Sequence, residues 1–277
     1  VIVKSNDHYD NDIDEVYVSQ QDRVIESIDF ENVSLYSNPE IGIAVGYYGS
    51  LWNPGQTGFI LRTVDGGETW NEVSIGSGGQ IHIFPRLYCV KASSKQASDY
   101  FYVGGALGRV YVSSDGGENW IIRRAPVDEP ILSIDTKFPE GDICLALSTE
   151  HILRSTDNGT TWTDVYDDIT STGSLTSVCW YNWGYHNYGA YAVGGSGKLL
   201  YSGDSGANWS DHTWIPYSSS AQNQFLDIAS PTQIGGGNQF ARSNIRIVGA
   251  NWPMGLDQEN PINQSANELP YSENINQ

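Results

Sequence analysis

Basic residues are scarce in this sequence. Its 277 residues include 14 lysines and arginines against 33 aspartates and glutamates, which gives a formal net charge of −19 at pH 7. A protein that binds nucleic acid or an anionic membrane surface needs a concentration of positive charge. We therefore expect neither nucleic acid nor a membrane surface as a partner.

Long apolar runs are also missing, and cysteine is rare. No stretch approaches the roughly 18 or more apolar residues of a membrane-spanning helix, so no membrane insertion is expected. The three cysteines (Cys89, Cys144 and Cys179) cannot all pair with one another, and each lies in an apolar run. Buried free thiols are their expected state. Since no metal-site spacing of cysteine and histidine occurs, we predict no metal and no cofactor.

The sequence does contain one eight-residue phrase, written four times. It reads Ser/Thr, any residue, Asp, any residue, Gly, any residue, Thr/Asn, Trp. The four copies are Thr63–Trp70, Ser113–Trp120, Ser155–Trp162 and Ser202–Trp209. Their aspartates are residues 65, 115, 157 and 204, so the phrase recurs every 42 to 50 residues. A period of this length indicates stacked or radially repeated units of structure.

Each copy has the chemistry of a tight turn. A carboxylate accepts hydrogen bonds from backbone N–H groups just downstream, and Gly adopts the positive φ that other residues avoid. Each copy follows a short apolar run and leads into a second run that the tryptophan opens, which predicts a hairpin. We expect the indole to fold back on the sheet. The predicted structural residues are Asp65, Trp70, Asp115, Trp120, Asp157, Trp162, Asp204 and Trp209.

This phrase resembles the Asp-box, or BNR repeat, of sialidases, sortilin-type receptors, some endoglucanases and photosystem II assembly-factor-like propellers. The resemblance covers about residues 24 to 215. It implies an all-β propeller of four-stranded antiparallel blades, with the box on the turn between the third and fourth strands of a blade. In those families the box is a structural staple and not the active site. We therefore expect turn-forming aspartates.

The rest of the chain can be divided into blades on this basis. The predicted units are 24–74, 79–124, 130–166, 174–215 and 224–257. Residues 13–20 are expected to supply a strand that closes the ring against the C-terminal blade. The prediction is one propeller over 1–257 with five blades, or six if the two ends build another sheet. Residues 258–277 have little to bury and read as an extended tail.

Two strands in each unit are visible as apolar runs. First strands are predicted at 26–30, 86–90, 132–136, 176–180 and 225–229. Second strands are predicted at 43–46, 101–104, 144–147, 191–194 and 246–249. Runs of this kind suit strands buried between neighbouring sheets.

Loops on a rigid scaffold usually carry binding sites. Residues 46–58 are the longest predicted connection between a second and a third strand, and combine aromatic rings with Gly, Asn and Pro. Such rings suit stacking on a sugar or contact with a protein; the alternative is that they fill a gap between blades. With neighbouring loops, the candidate binding residues are Tyr47, Tyr48, Trp52, Leu107, Trp214 and Tyr217.

Two further features are open to two interpretations. The aromatic stretch 180–188 either packs at the end of a blade or contacts another subunit. Asp29 and Asp135 occupy matching positions on two first strands, and Asp227 lies close to a third. They are either solvated acids of a central channel or a group that holds a cation or acts as paired carboxylates.

The resemblance to sialidases raises the question of catalysis. It implies three arginines that bind the substrate carboxylate, a Tyr–Glu nucleophile pair, an Asp acid/base and a Phe/Tyr-Arg-Ile-Pro motif before the first box. Here the nearest match, Phe84-Pro-Arg86-Leu, has another order and follows the first box. Arg62 and Arg154 precede boxes, on third strands away from a channel. No catalytic residues are therefore assigned.

The resulting prediction is a non-enzymatic binding or structural module that recognises a glycan or a protein partner. The acidic composition, rich in Asn, Ser, Gly and Tyr, favours an extracellular or virion setting, such as a phage tail or decoration protein within a larger assembly. The resemblance to assembly factors implies an arginine-rich partner surface, which we do not find in the sequence. The alternative is a sialidase-like glycoside hydrolase that uses the channel carboxylates.

Overall fold

The computed structural model describes residues 2–5, 13–17, 23–31, 40–50, 53–73, 84–95, 98–137, 139–167, 174–183, 187–212, 224–229 and 246–250. The chain forms two compact units, Val1–Asp168 and Ile169–Gln277. Strands and turns make up the described residues, with one short 3-10 helix, Gly195–Gly197, and no α-helix among them.

The first unit contains fifteen strands. They are β1 Ile2–Ser5, β2 Ile13–Tyr17, β3 Arg23–Phe30, β4 Gly42–Ser50, β5 Asn53–Thr63, β6 Asn71–Glu72, β7 Phe84–Pro85, β8 Leu87–Ala92, β9 Phe101–Gly105, β10 Arg109–Ser113, β11 Ile121–Arg124, β12 Ser133–Thr136, β13 Cys144–Leu147, β14 His151–Ser155 and β15 Thr163–Asp167. The second unit contains β16 Leu175–Trp183, β17 Asn187–Gly194, β18 Leu199–Ser202, β19 Ser210–Asp211, β20 Gln224–Ala229 and β21 Arg246–Ala250.

These strands form sheets in which each strand pairs with the next one along the chain. Sheet 1 is β3-β4-β5-β6, with β7 added beside β5; sheet 2 contains β8 to β11 and sheet 3 contains β12 to β15. In the second unit, sheet 4 contains β16 to β19, and β20 pairs with β21. All these pairings are antiparallel. The predicted all-β architecture of four-stranded antiparallel sheets is confirmed.

The apolar core lies between consecutive sheets. Ile43, Val45 and Ile60 of sheet 1 cluster with Phe101 and Val103 of sheet 2. The opposite face of sheet 2 packs on sheet 3, and in the second unit β17 packs on β20. Second and third strands therefore have apolar residues on both faces, as their uninterrupted apolar runs predict.

All three cysteines are buried and free, which confirms their predicted state. Burial raises the pKa of the Cys89 thiol, and likewise that of Cys144, to about 12. Neither group is a thiolate at neutral pH, and a thiol in that state is a poor nucleophile.

The turns of the second and third repeats contact the sheet that precedes them in the chain. Arg62 of sheet 1 donates from Nε to the carbonyl oxygen of Gly116 in sheet 2, at 2.6 Å. A Cβ added to Gly117 would lie 2.4 Å from Cδ1 of Ile43, and one added to Gly159 would lie 3.0 Å from the Tyr102 ring. Glycine at these positions allows close approach as well as the positive φ of the turn.

The strand predicted within residues 13–20 is present as β2, which pairs with β1. The two strands are close in the chain, and a short connection costs less entropy to close. The predicted pairing of β2 with the C-terminal blade stays a prediction. The predicted tail, 258–277, and the missing strands of the fifth blade lie outside the described residues, so the number of blades stays a prediction.

The predicted loop 46–58 is in fact most of a long hairpin. Strands β4 and β5 continue through it, with Tyr47 opposite Gly58, Gly49 opposite Pro54 and Ser50 opposite Asn53. Pairing along this length satisfies backbone groups that a loop would leave to water. Tyr47 and Tyr48 therefore stand on a strand.

Candidate functional site

The four repeated turns share one hydrogen-bond pattern, which the first copy shows. Thr63 Oγ1 donates to Asp65 Oδ1 at 2.6 Å and accepts the N–H of Gly67 at 2.9 Å. The same Oδ1 accepts the N–H of Thr69 at 2.9 Å, and Oδ2 accepts its hydroxyl at 2.6 Å. Asp115, Asp157 and Asp204 accept equivalent bonds. These carboxylates thus bind their own turns.

Hydrogen bonding also changes the acidity of these carboxyl groups. Donation by the Thr63 hydroxyl, and then by Thr69, lowers the pKa of Asp65 to about 2. The side-chain amide of Asn208 does the same at Asp204, lowering its pKa to about 2. Both groups are ionised at neutral pH, and neither has the raised pKa of a general acid.

The fourth copy differs from the others at its tryptophan. The indole Nε1 of Trp70, Trp120 and Trp162 donates to the carbonyl oxygen three residues earlier, at 3.1 Å each time, and all three rings are buried. Trp209 is only half-buried, and its Nε1 is shielded from solvent without an acceptor within the described residues. In the described part of the chain, the fourth turn therefore lacks the indole hydrogen bond that the other three turns make.

Tyr48, a predicted binding residue, is held by neighbouring side chains. Its hydroxyl donates to Glu72 Oε1 at 2.7 Å and accepts from Arg23 Nη2 at 2.9 Å. Its ring packs edge-on against Phe59, with centroids 5.4 Å apart, and the Arg23 guanidinium lies 4.8 Å from its centroid. These contacts stabilise sheet 1, and Tyr48 itself is half-buried.

Tyr47 belongs to a more open group that we call the arginine–tyrosine patch (Glu26, Tyr47, Arg86 and Tyr88). The Arg86 guanidinium lies 3.9 Å from the Tyr47 ring centroid and 4.9 Å from that of Tyr88. Its Nη2 pairs with Glu26 Oε1 at 2.6 Å. These side chains are half-buried or exposed, so the patch presents flat rings with charged edges. Apart from its near-match to the sialidase motif, nothing in the sequence marks Arg86.

The turn that carries Leu107 borders this patch. The Ala106 N–H donates to the carbonyl oxygen of Arg86 at 2.9 Å, which joins the β9–β10 turn to the chain just before β8. Leu107 has a φ of 61° and is 54% exposed. The structure therefore brings the turn that carries Leu107 to the backbone of Arg86, whose side chain contacts Tyr47. Trp52, Trp214 and Tyr217 lie outside the described residues.

A second charged group, the lysine–aspartate triad (Asp29, Lys91 and Asp135), spans β3, β8 and β12. Lys91 Nζ lies 3.4 Å from Asp135 Oδ1 and 3.7 Å from Asp29 Oδ2. The Asp135 carboxylate, followed by Asp29, raises the pKa of Lys91 although partial burial of the amine opposes this. The sequence analysis identified both aspartates but not the lysine. Lys91 nevertheless has an equivalent position, since it follows an apolar residue of a first strand just as Asp29 and Asp135 do.

Acidic side chains also link neighbouring first strands. Asp29 Oδ2 accepts the N–H of Ala92 at 2.9 Å. In the second unit, Ser177 Oγ donates to Asp227 Oδ1 at 2.7 Å. First strands are edge strands whose free N–H groups need acceptors. Asp29 meets this need, and Asp227 accepts a side-chain hydroxyl from a neighbouring first strand, so both carboxylates have a structural role besides any contact with a ligand.

The structure also gives the positions of the aromatic stretch and of the two arginines that precede repeats. Trp180 is buried, in agreement with packing of the aromatic stretch, and the side chains of 182–188 lie outside the described residues. Arg62 and Arg154 stand on the third strands β5 and β14. Among the described residues no helix is both long and apolar enough to cross a membrane.

Comparison with known proteins agrees with this architecture. YCF48 from Cyanidioschyzon merolae has a TM-score of 0.50 and 22% identity, over 76% of this chain and 62% of that chain. The fold is a β-propeller. Two other solved structures are similar to this propeller: an ancestral GH74 enzyme (TM-score 0.48, 16% identity, 67% of this chain and 23% of that one) and YCF48 bound to D1 peptide (TM-score 0.43, 17% identity, 86% and 78%).

Sequence similarity is more local. No protein-family model matches the propeller. A stretch of 126 residues is 36% identical to a xyloglucanase of Hypocrea jecorina (strain QM6a), which is 44% of this chain and 15% of that enzyme. The match thus covers a small part of the enzyme's length.

Proposed function

We propose that this propeller is a glycan-binding module, and that the arginine–tyrosine patch with the Leu107 turn is its contact surface. The observation that carries the proposal is the stacking of Arg86 against Tyr47 and Tyr88 beside an exposed leucine. Aromatic faces bind the apolar faces of sugar rings, while neighbouring charged groups bind hydroxyls. Part of this surface is already ordered, which lowers the entropic cost of binding.

The class of glycan comes from the local similarity to a xyloglucanase. That enzyme is named for action on xyloglucan, and we propose xyloglucan oligosaccharides as the first ligands to test. The acidic surface of the chain suits an extracellular or virion setting, which forms part of the same proposal.

A glycoside hydrolase is the second candidate, and the same similarity favours it. Its carboxylates would be Asp29 and Asp135, since hydrolysis uses two acids on either side of the scissile bond. Binding without hydrolysis is the stronger proposal because Lys91 lies between these two carboxylates. In addition, Asp29 accepts the N–H of Ala92, which occupies one of its oxygens.

Isothermal titration calorimetry with xyloglucan oligosaccharides tests the binding proposal. We expect Tyr47→Ala and Leu107→Asp each to weaken binding by about tenfold or more, which corresponds to roughly 1.4 kcal/mol. Tyr166→Ala is a matched control, since it removes a half-buried tyrosine from sheet 3, away from the patch. Absence of binding, or equal loss in all three variants, would contradict the proposal.

Release of reducing ends from the same oligosaccharides tests the hydrolase alternative. If turnover occurs and Asp135→Asn abolishes it while leaving binding intact, the propeller is an enzyme. The conservative change to Asn keeps an acceptor where Asp135 now stands. We expect no turnover by the unmodified chain.

A further inference from the structure

Four carboxylates surround one histidine at the edge of sheet 3. His151 begins β14, and Glu150 precedes it. In one group, an imidazole nitrogen of His151 and carboxylate oxygens of Glu129 and Glu150 all lie within 4.8 Å of one another. In a second group, the same holds for His151, Asp164 and Asp167. The donors come from three segments: the connection between sheets 2 and 3, the β13–β14 turn, and β15.

The backbone holds these residues in place. Ser148 Oγ accepts the N–H of His151 at 3.0 Å and that of Glu150 at 3.4 Å, which fixes the turn. The carbonyl oxygen of Glu129 accepts the N–H of Gly108 at 3.0 Å. Across the β14–β15 pair, His151 stands opposite Asp167. The donor set is therefore carried by paired strands and a bonded turn.

The two ring nitrogens of His151 have different surroundings. Nδ1 lies 2.7 Å from Asp164 Oδ2, so it carries the hydrogen and donates to the carboxylate. Nε2 makes no hydrogen bond within the described part of the chain. A carboxylate that accepts from one imidazole nitrogen is the arrangement that orients a metal-binding histidine and leaves the lone pair of the other nitrogen free.

Among the described residues, no lysine or arginine forms an ion pair with any of the four carboxylates around His151. Asp164 and Asp167 lie 2.7 Å and 4.0 Å from its Nδ1. The His151 side chain is 15% exposed. Like charges that share a partly buried site repel one another, and a bound cation removes that repulsion.

We propose that Glu129, Glu150 and Nε2 of His151 bind a divalent transition-metal ion, and that Asp164 orients the imidazole as a positioning residue. A nitrogen ligand with carboxylates suits Zn²⁺ or Mn²⁺ better than Ca²⁺, which takes six to eight oxygens. Three protein ligands leave further coordination positions to water. This site differs from the sequence-based expectation of no metal, since Glu129 comes from a different segment of the chain than Glu150 and His151.

Titration of the metal-free chain with Zn²⁺ and with Mn²⁺, followed by calorimetry, tests the site. We expect one ion per chain, and at least tenfold weaker binding in both His151→Gln and Glu150→Gln. Asp164→Asn should also weaken binding, because a positioning residue typically contributes about 10- to 100-fold in affinity. His212→Gln, an exposed histidine of the second unit, should leave binding unchanged.

Thermal unfolding provides an independent readout. Zn²⁺ should raise the midpoint of the unmodified chain and of His212→Gln by mass action, and leave that of His151→Gln unchanged. Equal midpoints of the metal-free variants would show that all of them fold. No binding, or binding that His151→Gln and Glu150→Gln leave intact, would overturn the proposal. Neither result bears on glycan binding by the arginine–tyrosine patch.

Discussion

Aspartate stabilises this molecule in two ways at the scale of single residues. In the repeated turns the carboxylate accepts bonds from groups within four positions of itself. On the first strands it accepts a bond from another strand, as Asp29 does from Ala92. The first role depends on local sequence alone, and the second needs neighbouring sheets to be in place.

The turn aspartates give stability a defined pH dependence. The pKa of Asp65 is about 2 in the folded chain, below the value of about 3.9 for an unfolded aspartate. Its ionised form therefore stabilises the fold fully above about pH 4, and this contribution is lost as the pH falls to about 2. Urea unfolding across this range should show a shallower loss of unfolding free energy in Asp65→Asn than in the unmodified chain.

Thr69→Val provides a check on the cause. It removes the hydroxyl that donates to Asp65 Oδ2 and preserves the size of the side chain. The unfolding free energy of this variant should therefore also depend less steeply on pH than that of the unmodified chain. An unchanged pH dependence in Asp65→Asn would mean that other carboxyl groups control acid unfolding.

Residues of the candidate sites differ in how far the sequence reveals them. The four turns are written in consecutive residues, so their aspartates and tryptophans can be identified directly. Lys91, Arg86 and His151 acquire their partners from other strands. Glu26 lies 60 positions from Arg86, and no local pattern links the two. Contacts of this kind depend on the packing of sheets, which spacing alone does not provide.

At the scale of elements, the four hairpins are similar in pattern and unequal in hydrogen bonding. The turns place Trp162 and Trp209 at the same position, yet only Trp162 donates its indole N–H. A buried donor without an acceptor costs about 1–3 kcal/mol, and a satisfied one contributes about 1 kcal/mol. The same substitution should therefore have different effects in the two hairpins.

We expect Trp162→Phe to lower the free energy of unfolding by at least about 1 kcal/mol more than Trp209→Phe does. Both changes remove similar ring volume, but only the first removes a satisfied hydrogen bond. Urea unfolding followed by circular dichroism measures the difference. Equal losses would indicate that ring volume alone determines the cost.

Strand positions were easier to predict than strand lengths. The apolar runs at 101–104 and 144–147 correspond to β9 and β13 almost residue for residue. The error lies at 46–58, where Gly, Asn and Pro predicted a loop and the chain forms a hairpin. Those residues disfavour a strand in isolation, but pairing with a neighbouring strand can outweigh a weak propensity.

At the scale of the whole molecule, charge repulsion is the dominant electrostatic effect. The chain has 33 acids against 14 lysines and arginines, a net charge of −19, and exposed pairs such as Arg124–Asp128 contribute about 0–1 kcal/mol each. Salt screens repulsion over distances above about 10 Å at 0.1 M. Adding salt should therefore stabilise the chain.

The midpoint of thermal unfolding should rise as NaCl increases from about 20 mM to about 500 mM, a range over which the screening length shortens several-fold. Tetramethylammonium chloride should act similarly, since screening does not depend on the identity of the cation. A midpoint that falls with salt would mean that specific ion pairs outweigh the general repulsion.

The contacts of the second and third turns with the preceding sheet also bear on the order of folding during synthesis. Gly117 fits against Ile43, and Gly159 against Tyr102, so both turns meet a surface made from residues that left the ribosome earlier. A domain translated from its N-terminus can order its parts as they emerge. Sheet 1 can therefore serve as the template on which sheet 2 docks, and sheet 2 as the template for sheet 3, before translation of the remaining residues is complete.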